Sequence, residues 1–394
     1  MFISSFDESK TMKRRLFKRK FFSCQFKKIA VLVVLFMGIL AGKTLGQIVI
    51  DNPDKPKSKN AGRTVVLEEV MRIRDDGKEI IFRGPQRFSL SVDGSIFFLD
   101  YPFIYKFSKD GQFIFKALKQ GEGPGEFKLG PDYFLTTNRI RVSVWIPPKV
   151  MDYDLDGKYI KEVKTDMIGP FWFLGLIIDK IYGIRDEIRH SEDIWKEGFI
   201  ESPYTLYEIS EDFQKMKKLY DFPVKHYIKK SHWFRRSMIA AAVYDHYLFM
   251  VHTAEYKIVK FDLLSARVER IITRKYKRQK ALNGEVEEDV YDPLAKRLAP
   301  PPPEYDFDIF WIHAFRNSLW AMTSTAKDNN SKPLIDVFDM EGNYIDNFYL
   351  QFPSNKETHW IVNSILSDDG FIFIPEQSED GLVSIAKYQI KDKS

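Results

Sequence analysis

Few residues of this 394-residue chain have the types and spacing that catalysis or metal binding requires. Seven histidines are present, but none forms a His-x-x-x-His pair, and the single Glu-x-x-His combination joins Glu187 to His190. That spacing brings both side chains to one face only on a helix, and the surrounding sequence predicts a loop. We interpret Glu187 and His190 as solvated loop residues, so sequence spacing predicts no metal site.

Nucleophilic chemistry has no sequence motif to support it either. The only cysteine, Cys24, lies before an apolar N-terminal run. The chain after that run therefore has no disulfide, thiolate metal site or cysteine nucleophile. No Gly-x-Ser-x-Gly motif is present, and paired catalytic carboxylates cannot be chosen from many acidic residues without geometry. We expect no enzyme from these motifs, while leaving the possibility open.

One glycine-rich segment invites comparison with a phosphate-binding loop. Glycine allows backbone amides to converge on an anion, but this segment lacks the following Lys-Ser or Lys-Thr pair and an amphipathic helix. We therefore predict a structural turn between sheets, formed by Gly121, Gly123, Pro124, Gly125 and Phe127.

The elements that must position any site are short strands that recur along the chain. Six similar segments each end in an aromatic or branched residue before a turn: Ile104–Phe107, Val150–Tyr153, Leu206–Ile209, Ile258–Phe261, Ile335–Phe338 and Ile385–Tyr388. The intervals between their last residues are 46, 56, 52, 77 and 50. Propeller blades repeat at about 40 to 50 residues, and the long interval contains an insertion that ends in four prolines.

These repeats predict an all-β fold, a six-bladed β-propeller whose blades have about four antiparallel strands each. An apolar or alternating strand precedes each repeated segment, as expected for sheets packed on both faces. An N-terminal strand near Val65–Val70 is expected to close the ring by pairing with Ser384–Ile390. A β-sandwich or two separate β domains is the alternative, since evenly spaced strands also suit sandwiches.

Alignment of the repeats selects four polar residues just after the second strand of a blade: Asp100, Arg185, His252 and Thr323. We expect these to be ligand-binding or channel-rim candidates, with Asp100 and His252 best placed for a channel mouth. A structural role in the turn is the alternative for each. The aromatic segments Phe171–Phe173, His232–Phe234 and Phe310–Trp311 could form a glycan or peptide platform, although large aromatic residues are more often buried.

The segment Gly121–Phe127, followed by Pro131, resembles the crossing between blades in NHL-type repeats, especially in six-bladed propellers exported by Bacteroidota. Asp100 and the Asp-Gly turns near it also match, and the resemblance is specific over about residues 84–160. It implies the propeller fold. The family is largely without assigned reactions, so the resemblance implies no chemistry.

Charge and hydropathy divide the chain at its N-terminal end. Residues 1–46 carry ten basic and two acidic residues, whereas the rest carries 50 basic and 53 acidic residues. A folded part with net charge −3 does not favour nucleic-acid binding. Thirteen apolar residues, Ile29–Ala41, follow Lys27 and Lys28, which is typical of an export signal. Cleavage after Gly46 fits, an uncleaved anchor is the alternative, and translation could begin at Met12.

The predicted organisation is therefore a signal peptide or membrane segment over residues 1–46, a flexible tether over 47–63 and the propeller over 64–392. The tether is expected because 51–62 is polar and has two prolines. We expect a monomer in the periplasm or at the cell surface, or one anchored to the inner membrane.

Two functions are compatible with this pattern. The preferred one is a non-enzymatic module that binds a protein, peptide or glycan of the cell envelope through insertions at Arg185–Pro203 and Arg274–Pro303, since recognition concentrates on loops. No cofactor is predicted for it. The alternative is a lyase or hydrolase that uses Ca²⁺ or Zn²⁺ in the central channel, as in some related propellers.

Overall fold

The structure, a computed structural model, describes residues 47–166, 171–190, 192–229, 232–235, 239–281, 303–327, 332–353 and 363–392. The chain divides into two compact units, 1–48 and 49–394, and the described residues lie almost wholly in the second. The predicted signal segment with Cys24, and most of the Arg274–Pro303 insertion, lie outside them. In the part of the chain that is described, no helix is long and apolar enough to cross a bilayer.

Consecutive antiparallel strands form small sheets, which we call blades and number in chain order. Blade 1 consists of β3 (Gln86–Leu90), β4 (Ile96–Asp100), β5 (Phe103–Phe107) and β6 (Phe113–Ala117). Two short parallel strands, β7 (Lys119–Gln120) and β8 (Glu126–Phe127), lead to the next blade. Blade 2 consists of β9 (Asp132–Leu135), β10 (Arg139–Val144), β11 (Lys149–Asp154) and β12 (Tyr159–Lys164).

The next three blades keep this order and two of them gain a fifth strand. Blade 3 consists of β13 (Phe171–Ile177), β14 (Lys180–Asp186), β15 (Gly198–Ile209), β16 (Met216–Lys229) and the added β17 (His232–Arg235). Two 3₁₀-helices, Glu187–His190 and Glu192–Trp195, lie between β14 and β15. Blade 4 consists of β18 (Ala240–Tyr244), β19 (Tyr247–Val251), β20 (Lys257–Asp262), β21 (Arg267–Arg274) and the added β1 (Ile48–Asn52). Blade 5 consists of β22 (Ile309–Phe315), β23 (Ser318–Lys327), β24 (Lys332–Asp339) and β25 (Tyr344–Gln351).

The sixth blade combines the two ends of the described chain. It consists of β26 (Ile365–Leu366), β27 (Phe371–Gln377), β28 (Val383–Asp392) and the N-terminal β2 (Arg63–Arg74). The start of β2 also pairs parallel with β25, from Arg63 opposite Phe348 to Val66 opposite Gln351, so hydrogen bonds join blades 5 and 6 into one eight-stranded sheet. Strand β2 pairs antiparallel with β28 from Val65 opposite Asp392 to Arg74 opposite Ser384. The prediction that an N-terminal strand closes the fold is confirmed. This pairing ties the first blade to the last without a disulfide.

Six hydrophobic clusters among the described residues lie between the blades, and each one joins two neighbouring blades. The sequence of contacts runs from blade 1 to blade 6 and then from blade 6 back to blade 1, where Phe98 and Ile385 share a cluster. Because every blade buries both faces against a neighbour, the six sheets form a closed ring.

Strand β4 shows how one sequence serves two faces. Ile96 and Phe98 pack in the cluster shared with blade 6, whereas Phe97 and Leu99 pack in the cluster shared with blade 2. Successive side chains of a strand point to opposite faces. A run that is apolar throughout is therefore what a strand between two sheets requires.

The turn between β3 and β4 differs in detail from the two-residue hairpin that Asp-Gly pairs suggest. The Gly94 N–H donates to Ser91 O over 2.9 Å, and the Ser91 N–H donates to Ser95 O over 3.0 Å. Only Gly94 has a positive φ, of 80°, and the loop therefore has three residues. The Asp93 carboxylate accepts the Ser95 N–H over 3.0 Å and so stabilises the loop. Asp93 itself keeps a negative φ.

Residues 47–62, which we call the N-terminal strap, differ from the flexible tether that their composition predicts. Strand β1 extends the edge of blade 4 beside β21. Farther along, the Ser58 N–H donates to Ile345 O over 2.9 Å and the Gly62 N–H to Asn347 O over 3.1 Å, both on blade 5. The strap is ordered because the outer edges of these blades offer unpaired backbone groups.

Candidate functional site

A cleft of about 480 Å³ opens where the first strands of the blades begin. The added strands β1 and β17 join the fourth-strand edges of blades 4 and 3, so the first strands face the axis of the ring. We call this space the inner cleft. Its side chains come from blades 1 to 3 and the segments beside them, and they are Gln86, Arg87, Leu99, Tyr101, Leu129, Gly130, Pro131, Asp132, Trp145, Phe171, Trp172, Ile184, Asp186, Tyr204 and Ile239.

Arg87 is the only cationic side chain in that set, and its backbone is unusual. It lies in the left-handed region with φ of 58°, at an irregularity in the pairing of β3 with β4. Such a conformation costs energy in a residue with a side chain and is retained where surrounding contacts enforce it. Here the Tyr133 hydroxyl donates to Arg87 O over 2.7 Å. The guanidinium is 29% exposed, and Arg87 lines the cleft.

Asp132, the first residue of β9, pairs with Arg87 across the junction of blades 1 and 2. Its carboxylate is 8% exposed and also accepts the Tyr133 N–H over 2.8 Å. Burial raises the pKa of Asp132, while the neighbouring Arg87 charge opposes that rise. The pair therefore has two functions: it joins neighbouring blades and presents a guanidinium to solvent.

Two partly exposed tryptophans supply flat apolar surface in the inner cleft. The Arg87 guanidinium lies 5.5 Å from the centroid of the Trp172 ring, within cation–π range. The Trp145 ring lies directly on Gly130, whose φ is 72°. A Cβ added at Gly130 would be 2.2 Å from Trp145 Cδ2. Glycine at this position is required both by the backbone conformation and by the tryptophan.

The opposite wall of the cleft contains a buried polar cluster from blade 3. The Tyr204 hydroxyl donates to Asp186 Oδ2 over 2.9 Å, and the Ile188 N–H donates to Asp186 Oδ1 over 3.3 Å. His226 is fully buried, its ring stacked 6.4 Å from that of Tyr204. Its Nε2 atom lies 3.9 Å from Asp186 Oδ1. These contacts hold the carboxylate at the cleft wall with both oxygens engaged.

Comparison with known families decides the fold. A family model described as "6-bladed beta-propeller" matches residues 91–263, and its description agrees with the ring of six sheets. The chain is a six-bladed β-propeller. That its repeats are of the NHL type stays a prediction.

The chain is also similar to several solved structures. One is a Bacteroides fragilis protein described as a "putative exported protein", which is 12% identical, with a TM-score of 0.51 and coverage of 88% of this chain and 100% of that one. The Pan2 WD40 domain of Neurospora crassa is 12% identical, with a TM-score of 0.37 and coverage of 79% and 77%. A Xanthomonas campestris gluconolactonase is 9% identical, with a TM-score of 0.40 and coverage of 81% and 98%. Among curated proteins, none matches this chain.

Two of the four predicted rim residues lie beside the inner cleft of the propeller but face away from it. The carboxylate of Asp100 accepts the N–H groups of Arg83 and Gly84 over 2.8 and 2.9 Å. Burial raises the pKa of Asp100, and these N–H groups oppose the rise. Its neighbours Leu99 and Tyr101 line the cleft instead.

Arg185, like Asp100, lies one residue away from the positions that line the cleft. Its guanidinium bonds Glu187 over 2.9 Å and contacts the Tyr207 ring, and the carboxylate raises the pKa of Arg185 against the effect of burial. Ile184 and Asp186, on either side, line the cleft. Glu187, expected to be solvated, is in fact this partner.

The other two predicted residues, His252 and Thr323, are buried and do not line the inner cleft. The ring of His252 packs 5.3 Å from that of Phe222, and burial lowers its pKa to about 4, with a further contribution from Lys257. The Thr323 hydroxyl donates to Leu334 O over 3.2 Å. The structure does not bring the four residues together into one site.

The glycine-rich segment forms a compact turn between blades 1 and 2. The Gly121 N–H donates to Phe127 O over 2.9 Å, and the Gly123 N–H donates to the Glu126 carboxylate over 2.9 Å. The Gly125 N–H donates to Glu162 over 2.9 Å. Phe127 is fully buried between the two blades, and the chain continues from it directly into the cleft wall at Leu129 to Asp132.

The described residues contain no group of three or more His, Cys, Asp or Glu side chains arranged to hold a metal ion. The sequence pattern does not identify Arg87, Asp132, Trp145, Asp186 or Tyr204 as site residues. Trp172 had been noted as part of an aromatic segment. Pro131 belongs to the predicted crossing between blades, and the acidic residue next to it, Asp132, is the one sequence signal of a polar wall.

Proposed function

We propose that this propeller is an exported binding module of the cell envelope and that its ligand is bound in the inner cleft. One observation carries the proposal: side chains from three blades converge on a space of about 480 Å³ that contains both flat aromatic surface and fixed polar groups. Small-ligand sites have this mixture, with volumes of roughly 300–1,000 Å³.

Preorganisation supports binding at this place. Arg87 is held in an unfavourable backbone conformation by Tyr133 and by its pairing with Asp132. A rigid polar group loses little conformational freedom when a ligand arrives. A negative φ at Arg87 would cost less energy, so the contacts to Tyr133 and Asp132 must offset the cost of the conformation that is present.

Export is supported by the N-terminal sequence. The basic residues before Ile29–Ala41, and the small residues Thr44 and Gly46 after it, match the order of regions in a secretory signal. The folded part has no cysteine after Cys24, which suits a compartment where free thiols oxidise.

Site-directed photo-crosslinking in cells tests this proposal on the full chain. A photoreactive phenylalanine analogue replaces Tyr101, which is 36% exposed at the inner cleft. The matched control carries the analogue at Val92, fully exposed in the β3–β4 turn at the other end of blade 1. A discrete envelope adduct from position 101 and not from 92 is expected. Equal labelling from both positions, or none from position 101, would overturn the proposal.

A further inference from the structure

We propose that the ligand class of the inner cleft is a neutral saccharide. This inference rests on the proposed binding function and adds the chemistry of the ligand. It follows from the charges, the aromatic surfaces and the strand geometry of the cleft walls.

The ionised groups in the cleft walls are already compensated. Arg87 pairs with Asp132, and Asp186 accepts hydrogen bonds from Tyr204 and the Ile188 backbone. A phosphate or an acidic sugar would need a cation with no acidic partner, and it would face two carboxylates. A neutral ligand avoids both costs, because the partly exposed guanidinium and the carboxylates can each share a hydrogen bond with a hydroxyl group without breaking an ion pair.

The aromatic surfaces suit sugar rings. A pyranose has one face of C–H groups and a rim of hydroxyl groups, so it needs a flat apolar surface bordered by donors and acceptors. Trp172 and Trp145 are both partly exposed at the cleft, and the Arg87 guanidinium, over the Trp172 ring, holds a planar donor beside this aromatic surface. Large, rigid aromatic side chains supply contact area at low entropic cost.

Strand geometry favours a saccharide over a peptide. One common mode of peptide binding to a sheet adds a strand to an open edge, where main-chain hydrogen bonds supply the affinity. The inner cleft instead presents strand ends: the start of β3, β9 and β13 and the end of β4 and β14. Among the residues that the structure describes, no single strand edge runs along the cleft for main-chain pairing.

Calorimetric titration of the purified full chain tests the inference. The probes are neutral gluco-, manno-, galacto- and xylo-oligosaccharides, an oligogalacturonate and a set of uncharged peptides. At least one neutral oligosaccharide is expected to bind, with an affinity that does not change between low and high salt, because no ion pair forms with the ligand.

Two tryptophan variants locate the site. Trp172→Ala is expected to raise the Kd by about tenfold or more, as truncation of a central aromatic anchor does. Trp195→Ala is the matched control, because Trp195 is 75% exposed and does not line the cleft, and its Kd should equal that of the wild type. Thermal unfolding of both variants checks that the fold is retained. Equal Kd values for the two variants would contradict the assigned site.

The remaining outcomes separate this inference from the proposed function. Binding of oligogalacturonate alone, weakened by salt, would overturn the neutral class and leave a binding module. Binding of peptides alone, together with a crosslink from position 101, would overturn the saccharide assignment and likewise leave a binding module. Absence of any binding together with absence of that crosslink would overturn both proposals.

Discussion

Two junctions of the propeller each contain an arginine–aspartate pair that joins neighbouring blades, and they differ in what surrounds it. Between blades 1 and 2, Arg87 is 29% exposed beside Asp132. Between blades 4 and 5, Arg274 is 6% exposed and lies 2.8 Å from Asp336, which is fully buried. The same two side-chain types therefore serve a cleft wall in one place and an interior contact in the other.

The interior pair is enclosed by tyrosines. The Arg274 guanidinium lies 5.0, 5.0 and 4.9 Å from the ring centroids of Tyr256, Tyr276 and Tyr344. The hydroxyls of Tyr256 and Tyr344 each donate to Asp336 over 2.6 Å. Every side of the charge is thus occupied, whereas the Arg87 pair has one open side. If the inner cleft binds a ligand as proposed, only the Arg87 pair of these two has an open side from which to contact it.

The largest effect that this comparison predicts is on stability. Arg274→Met should lower the free energy of unfolding by about 3–5 kcal/mol, because it leaves the buried Asp336 carboxylate without its cation. Arg87→Met, the matched change at the cleft, should cost only about 1–2 kcal/mol, because Asp132, although itself buried, lines the inner cleft, where water can take the place of the guanidinium, but it should weaken ligand binding. Denaturant unfolding of both variants measures the difference. Equal losses would mean that the two junctions are energetically alike.

The next prediction concerns pH and the junction between blades 3 and 4, where His252 contacts Phe222. Burial and Lys257 lower the pKa of His252 to about 4, so the unfolded chain binds its proton first as pH falls. Stability should therefore be complete above pH 6.5 and decline toward pH 4, by at most about 3 kcal/mol.

Denaturant titrations at several pH values measure this decline. The variant His252→Phe keeps a ring at the position and removes the titrating group, so it should lose less stability than the wild type over the same pH interval. A wild-type curve that does not fall between pH 6.5 and 4, or a variant curve of the same slope, would contradict the assignment.

The fold was predictable because its determinants are local. Strands that are apolar on both faces, such as Ile96–Asp100, and turns such as Ser91–Ser95 recur at blade-length intervals. Counting them yields six blades, and closure follows from the leftover strand at Val65. The ordered strap was not predictable, because it depends on the edges of blades 4 and 5, which are distant in sequence.

The residues of the site were harder to predict from the sequence than the fold, as Asp100 and Arg185 illustrate. Their strand ends were correctly chosen, yet the residues that line the cleft are the adjacent Tyr101 and Asp186. Because side chains alternate along a strand, an error of one residue exchanges the two faces. The positive φ of Arg87 has no sequence signal at all, since it is imposed by Tyr133 from the next blade.

A smaller effect on stability is expected from changing the contact between Gly130 and Trp145, at the junction between blades 1 and 2. Gly130→Ala should cost about 1–3 kcal/mol, because the new methyl group overlaps the tryptophan ring, and it should also weaken binding in the inner cleft. Gly62→Ala is the control, since Gly62 has a similar φ of 79° but no atom within 4 Å of the added Cβ. If both alanines cost the same in denaturant unfolding, backbone conformation alone would explain the loss.

The smallest predicted effect concerns the N-terminal strap, which covers the junction between blades 4 and 5. No such strap is described at the junction between blades 1 and 2. The Asn52 amide donates to Thr273 O over 3.0 Å and to Gly342 O over 2.9 Å, and it accepts the Tyr344 N–H over 2.9 Å. One side chain thereby links blade 4 to blade 5.

Asn52→Ala should cost about 1–2 kcal/mol, whereas Asn60→Ala, at an exposed position of the same strap, should cost almost nothing. Hydrogen exchange should locate the loss at β21 and β25 and leave β3 and β9 protected as before. Faster exchange at the inner cleft would show instead that the strap stabilises the whole ring. The strap would then stabilise both junctions, and they would differ only in how much stability each loses.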